Sequence, residues 1–290
     1  MKRLGYAIVT VIAVFLCIAA WAQRDYTRIE IKTTHVAGNI YMLEGAGGNI
    51  GVSAGPDGIL LIDDQFAPLA EKIRNALNEL SDGPLKFLVN THFHGDHTGG
   101  NVVFGAEAHI ISHTNVRKRL QIESSPQEAL PVVTFDDSLS IHFNGEEIRV
   151  IHFPNSHTDG DSVIFFTGSN VVHMGDLFFS GRFPYVDLSS GGDVEGLIKH
   201  IEKLVAELPP EVKLIPGHGP LSDIDDLKTY HQTLVATTGM IRDQIEAGKS
   251  LDEIKAAGLP KKWRSWGAGF ISTGRWIEIV HRSLAKAGDI

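Results

Sequence analysis

At 290 residues, with 43% hydrophobic side chains and a formal net charge of −9, the chain can bury a large core but repels phosphate backbones. Without a local basic patch, that balance argues against a nucleic-acid partner and for a small-molecule substrate. A single cysteine, Cys17, offers no disulfide framework.

The first residues read as an export signal. Lys2 and Arg3 give a basic start, residues 4–20 are almost wholly apolar, and Ala20-Trp21-Ala22 is a small-x-small site. Cleavage after Ala22 is expected, which assigns 1–22 to the signal and 23–290 to one domain with a helical tail over about 222–290. The alternative is an uncleaved anchor, because the apolar run approaches the roughly 20 residues of a membrane span. Loss of Lys2 and Arg3 leaves 24 basic against 35 acidic side chains, and Cys17 departs with the leader. A periplasmic or secreted protein with no stable membrane association is the expectation.

Next come short apolar runs at 39–43, 49–53 and 59–62, parted by Gly or Pro-Asp-Gly turn signals, which predict a meander of strands. Pro68 suits a first helical turn, and Leu69, Ile73, Ala76, Leu77 and Leu80 recur on one helical face before Gly83-Pro84. A strand over 86–90 then runs straight into a histidine cluster. The order repeats in the second half: strands at 138–143, 147–152, 162–166 and 171–174, a helix capped by Asp193, and a strand at 212–215 before Pro216-Gly217-His218-Gly219-Pro220. Two successions of strands then helix predict an α/β (α+β) fold in which sheet packs on sheet with helices outside.

In the tail, Ser222-x-x-Asp225 and Ser250-x-x-Glu253 read as capping boxes. Trp263, Trp266, Phe270 and Trp276 read as core packing of the tail helices, with a substrate wall as the rival role. Asn101, after Gly99-Gly100, reads as a cap.

Thr91-His92-Phe93-His94-Gly95-Asp96-His97 puts three imidazoles and a carboxylate into a span of six residues immediately after a strand. Zinc favours nitrogen with some oxygen, and a turn at Gly95 lets one loop serve two ions. His157, Asp176 and His218 each follow a predicted strand, where layered sheets release site residues. The other nine histidines lack a clustered partner and read as structural.

This order of motifs, over roughly 36–220, resembles the metallo-β-lactamase-like superfamily, whose fold is a four-layer αββα sandwich. The resemblance implies two Zn2+: His92, His94 and His157 on one, Asp96, His97 and His218 on the other, and Asp176 between them. It also implies that Asp63 orients a ligand from behind. A water shared by two dications is acidified, so no serine or cysteine nucleophile is needed, and Asp96 is the expected proton carrier. The loop over 178–192 follows Asp176 and offers Arg182 and Tyr185 as substrate contacts. β-Lactamase-like opening of a cyclic amide or ester is the leading expectation. An acid at 176 in place of a thiolate resembles the superfamily's lactonases and thioesterases, which are the alternative; a mononuclear iron dioxygenase is the alternative of another class.

Overall fold

The computed structural model describes residues 25–288, and the predicted export signal lies outside them. Two sheets dominate. The first runs in the order β1 (Lys32–Ala37), β2 (Ile40–Glu44), β3 (Ile50–Gly55), β4 (Gly58–Ile62), β5 (Leu85–Val89), β6 (His109–His113) and β7 (Val133–Phe135). It is antiparallel through β4 and parallel from β4 to β7. The second sheet holds β8 (Ser138–Phe143), β9 (Glu146–His152), β10 (Ser162–Phe166), β11 (Val171–His173), β12 (Lys213–Ile215) and β13 (Ser222–Asp223), with only β11 and β12 parallel.

The period of two along each strand decides the layering. In β4, Leu60 and Ile62 join Ile164 and Phe166 of β10 in a core between the sheets. Ile59 and Leu61, on the opposite face, pack against Ile73 and Leu77 of α1 (Ala70–Asn78). Two short helices, α2 (Gly95–Thr98) and α3 (Asn101–Phe104), and then α4 (Thr114–Ile122) complete the first half. Val163 and Leu214 point outward from the second sheet into a cluster shared with α5 (Val194–Glu207) and the tail helices α6 (Ile224–Glu246), α7 (Leu251–Ala257) and α8 (Thr273–Ala287). Helix, sheet, sheet, helix is the result. Among the described residues, no helix is long and apolar enough to cross a membrane.

Caps set where the helices start. Asp193 accepts from the Gly196 amide at 2.7 Å, and Ser250 with Glu253 forms a reciprocal box, as their spacing predicts. The tail's first box differs. Asp223 caps α6 with Asp226 as its partner, one residue beyond the Ser222/Asp225 expectation, while the Ser222 hydroxyl is engaged with Pro220 O and Ser180 Oγ. Asn101 is no cap either: Gly100 holds that position, and the buried Asn101 amide exchanges hydrogen bonds with Asn90 and donates to Ala129 O. Trp263 and Trp276 are buried in the tail core, whereas Phe270 is 88% exposed.

Candidate metal centre

Strand ends on both sheets converge on one edge of the sandwich. After β5, Phe93 is buried with Val116 and Leu120 of α4, which anchors the loop between His92 and His94. The single turn of α2 follows, its first bond running from His97 N to His94 O at 2.9 Å, and carries Asp96 and His97 round to a second position. Asp176 follows β11, His218 follows β12, and His157 lies in the loop between β9 and β10. Close backbone approach is required here: a Cβ on Gly48 would sit 2.1 Å from the His97 ring, and one on Gly217 would sit 2.1 Å from Asp176 Oδ1.

The seven side chains fall into two groups whose ligand atoms lie within 4.8 Å of one another: His92, His94, His157 and Asp176, then Asp96, His97 and His218. Asp176 faces both. Its Oδ2 is 3.7 Å from His92 Nε2 and 3.4 Å from His157 Nε2, while its Oδ1 is 3.1 Å from His97 Nε2 and 3.5 Å from His218 Nε2. His94 presents Nδ1 to the first group, 2.9 Å from His157 Nε2, and Asp96 Oδ2 lies 3.3 Å from His218 Nε2. Three of these buried atoms, His92 Nε2, His97 Nε2 and Asp176 Oδ1, have no hydrogen-bond partner among the described residues. Buried polar atoms are seldom left so, and a nitrogen-rich set with carboxylate oxygen fits a pair of zinc-like cations.

The nitrogens facing away are tied down. Asp63, with a left-handed φ of 62°, accepts from Thr91 N at 2.8 Å and Thr91 Oγ1 at 2.7 Å, and its Oδ2 lies 2.7 Å from His97 Nδ1. Its neighbour Asp64 turns away and accepts from Gly100 N. Thr91 Oγ1 lies 3.0 Å from His92 Nδ1, Tyr185 O takes His157 Nδ1 at 2.8 Å, and Asp187 Oδ2 takes His94 Nε2 at 3.2 Å. Asn49 steadies the turn that bears His218, donating to Pro216 O at 2.9 Å and Gly219 O at 2.8 Å.

Electrostatics follow from this crowding. Burial alone raises Asp176, but the charges of His97 and His218 outweigh it and hold the carboxyl well below its ordinary range. Burial also opposes ionisation of Asp96, yet His97 and His218 bring it down to about 2. Burial lowers His157 to about 4 and pushes His92 down with the help of His97. His97 and His218 go the other way, burial being overcome by Asp176 and neighbouring carboxylates.

A cleft of about 560 Å³ opens over the site. His94, Asp96, Asp176 and His218 form its floor; Phe66, Phe179, Phe183, Tyr185, Phe270 and Ile271 give it mostly apolar walls, and Arg182 is a lining cation. Both loop residues singled out in the sequence, Arg182 and Tyr185, therefore face the cleft. Asn49 and Thr91 have no role assigned from the sequence, and Asp187 enters only as a member of the 178–192 loop expected over the site. Thr91, adjoining the histidine run, and Asp187, in that loop, had a positional signal; Asn49 had none.

A sequence profile described as the metallo-beta-lactamase superfamily matches residues 33–218. Among individual relatives, hydroxyacylglutathione hydrolase GloC of Haemophilus influenzae is 30% identical over 175 residues, 55% of this chain and 80% of that protein. Metallo-beta-lactamase type 2 of Bacteroides fragilis is 22% identical over 174 residues, 56% of this chain and 68% of that one. In three dimensions, a metallo-beta-lactamase from Pontibacter korlensis aligns with a TM-score of 0.62 at 18% identity, over 71% of this chain and 99% of that structure.

Proposed function

The chain belongs to the metallo-beta-lactamase superfamily as a metal-binding hydrolase, and from this we propose that it uses two zinc ions to open a cyclic amide or ester. The observation that carries the reading is Asp176, which turns one carboxylate oxygen to each group of histidines. His92, His94 and His157 would hold one ion, Asp96, His97 and His218 the other, with Asp176 shared. A bound pair supplies Lewis acidity toward a carbonyl and lowers the pKa of water.

The chain's own residues do the rest. The outer nitrogens of four imidazoles are fixed by Thr91, Asp187, Asp63 and Tyr185, which keeps the donor set in place while substrate enters. Phe66, Phe179 and Phe183 exclude water from the apolar part of the substrate, and Tyr185 and Arg182 orient it from the loop above. Asp96, at the floor of the cleft, receives and returns the proton at its carboxylate.

A lactone or thioester is the second reading, favoured by the acid at Asp176 and by the relative named as a hydroxyacylglutathione hydrolase. Within it, the largely apolar walls fit a neutral ring better than a polar thioester. Metal content by mass spectrometry, followed by assay of the zinc-loaded protein on lactams, lactones and thioesters, decides among these. Two zinc per chain with ring opening is expected. One iron with oxygen uptake would replace the reading by an oxidative one, and turnover of lactones or thioesters but of no lactam would establish the second.

A further inference from the structure

Between Glu253 and Glu278 the sequence has no acidic residue and five basic ones, in a chain whose acids outnumber its bases by nine. Three of the five, Lys261, Lys262 and Arg264, stand exposed on the connection between α7 and α8. Among the described residues, none of the three has a carboxylate within ion-pair distance. The same connection bears Phe270, the most exposed large hydrophobic side chain among the described residues, at 88%. Its neighbour Ile271 is buried, and both line the catalytic cleft. Arg182 packs its methylenes near Gly269 and lines the same cleft as Phe270.

An aromatic ring kept in water beside cations that no carboxylate neutralises, Lys262 lying over the Trp263 ring at 4.2 Å, at the mouth of an apolar cleft, is the arrangement that interfacial anchors use. We propose that the connection over 258–272 docks reversibly on an anionic lipid surface. Lys261, Lys262 and Arg264 provide the attraction, and Phe270 sinks to the headgroup level, setting the cleft mouth against the bilayer. A protein partner is the weaker occupant, because one ring and three cations fall far short of the roughly 800 Å² per side of a stable protein interface. Interfacial binding needs no such area, since charges near a lipid surface add their contributions one by one. The inference stands whatever bond the site breaks.

Amide hydrogen exchange on the full chain tests it locally, so that binding through any other segment does not obscure the readout. Vesicles containing phosphatidylglycerol should protect 258–272 at low salt, and raised salt should weaken the effect. At about fivefold per cation, the combined K261Q, K262Q and R264Q variant should bind these vesicles about 100-fold more weakly. F270S should lose protection while keeping its charges. All four positions are exposed, so unchanged thermal unfolding verifies the fold of each variant. No protection, equal protection by phosphatidylcholine vesicles, or equal protection by soluble polyglutamate would overturn the proposal, the last in favour of an acidic macromolecular partner.

Discussion

Asp187 Oδ2 lies 3.2 Å from Nε2 of His94, and Ser189 holds the other carboxylate oxygen through its amide at 3.1 Å and its hydroxyl at 2.5 Å. Two residues earlier, the Tyr185 carbonyl takes His157 Nδ1. One short loop thus fixes two imidazoles of the first group. Asp187→Asn should leave unfolding unchanged while weakening metal binding at that group by about 10- to 100-fold, as measured by competition with a chromogenic chelator. Affinity equal to the parent's would mean that the contact does not orient His94.

Tyr185 forms a wall of the cleft, and its backbone, not its hydroxyl, serves His157. Tyr185→Phe should therefore keep the full metal complement while altering kcat or KM on a ring substrate. Loss of metal in this variant, or kinetics identical across a substrate panel, would rule out a role for the hydroxyl in the cleft.

Protons compete for the same atoms. Burial opposes a charge on His218, but Asp176 and Asp96 outweigh it and raise its pKa from 6.5 to about 9. A raised folded value means that the contribution to stability is fully present below the unfolded pKa near 6.5 and is lost as pH rises through about 9. In chelator, the Tm advantage of the parent over His218→Asn should be full at about pH 6 and gone above about pH 9. Thermal scans of both proteins across that range check the sign, and an advantage that grows with pH would contradict it.

In the tail core, Trp276 is fully buried, stacks on Phe183 at 5.5 Å and donates its indole N–H to Thr237 Oγ1 at 3.0 Å. Trp276→Ala should cost about 3–5 kcal/mol of stability. Thr237→Val, which strands the indole N–H, should cost about 1–3 kcal/mol. Urea unfolding of metal-free protein reads both without the added stabilisation of bound ligand.

Local pattern explains what could be read in advance. The near-continuous apolar runs of β4 and β10 announce strands buried on both faces, and the His-x-His-x-Asp-His run is dense enough to stand out unaided. Isolated Asp176, His157 and His218 were recognisable only by their place after strands. Edge strand β1 escaped because Lys32, Thr33 and Thr34 lack apolar alternation, and the short β7 has two exposed residues out of three. Asn49 and the tie from Asp187 to His94 escaped for another reason: the partners lie 167 and 93 residues away, and a single amide or acid in a glycine-rich loop has no period. The cluster of Lys261, Lys262 and Arg264 is legible in the sequence, and the expectation of no local basic patch missed it by averaging charge over the whole chain. Only the fold brings Phe270 and Arg182 to the same cleft.

The two sheets meet through an apolar core, yet each supplies part of the donor set: residues 92–97 leave the first sheet, and His157, Asp176 and His218 leave the second. A cation held there would act as a clasp across the sandwich, joining segments as distant in the chain as His92 and His218 that no disulfide unites. Prying the halves apart then requires the clasp to open first, so the ion content of the chain and the mechanical integrity of its two halves rise and fall together.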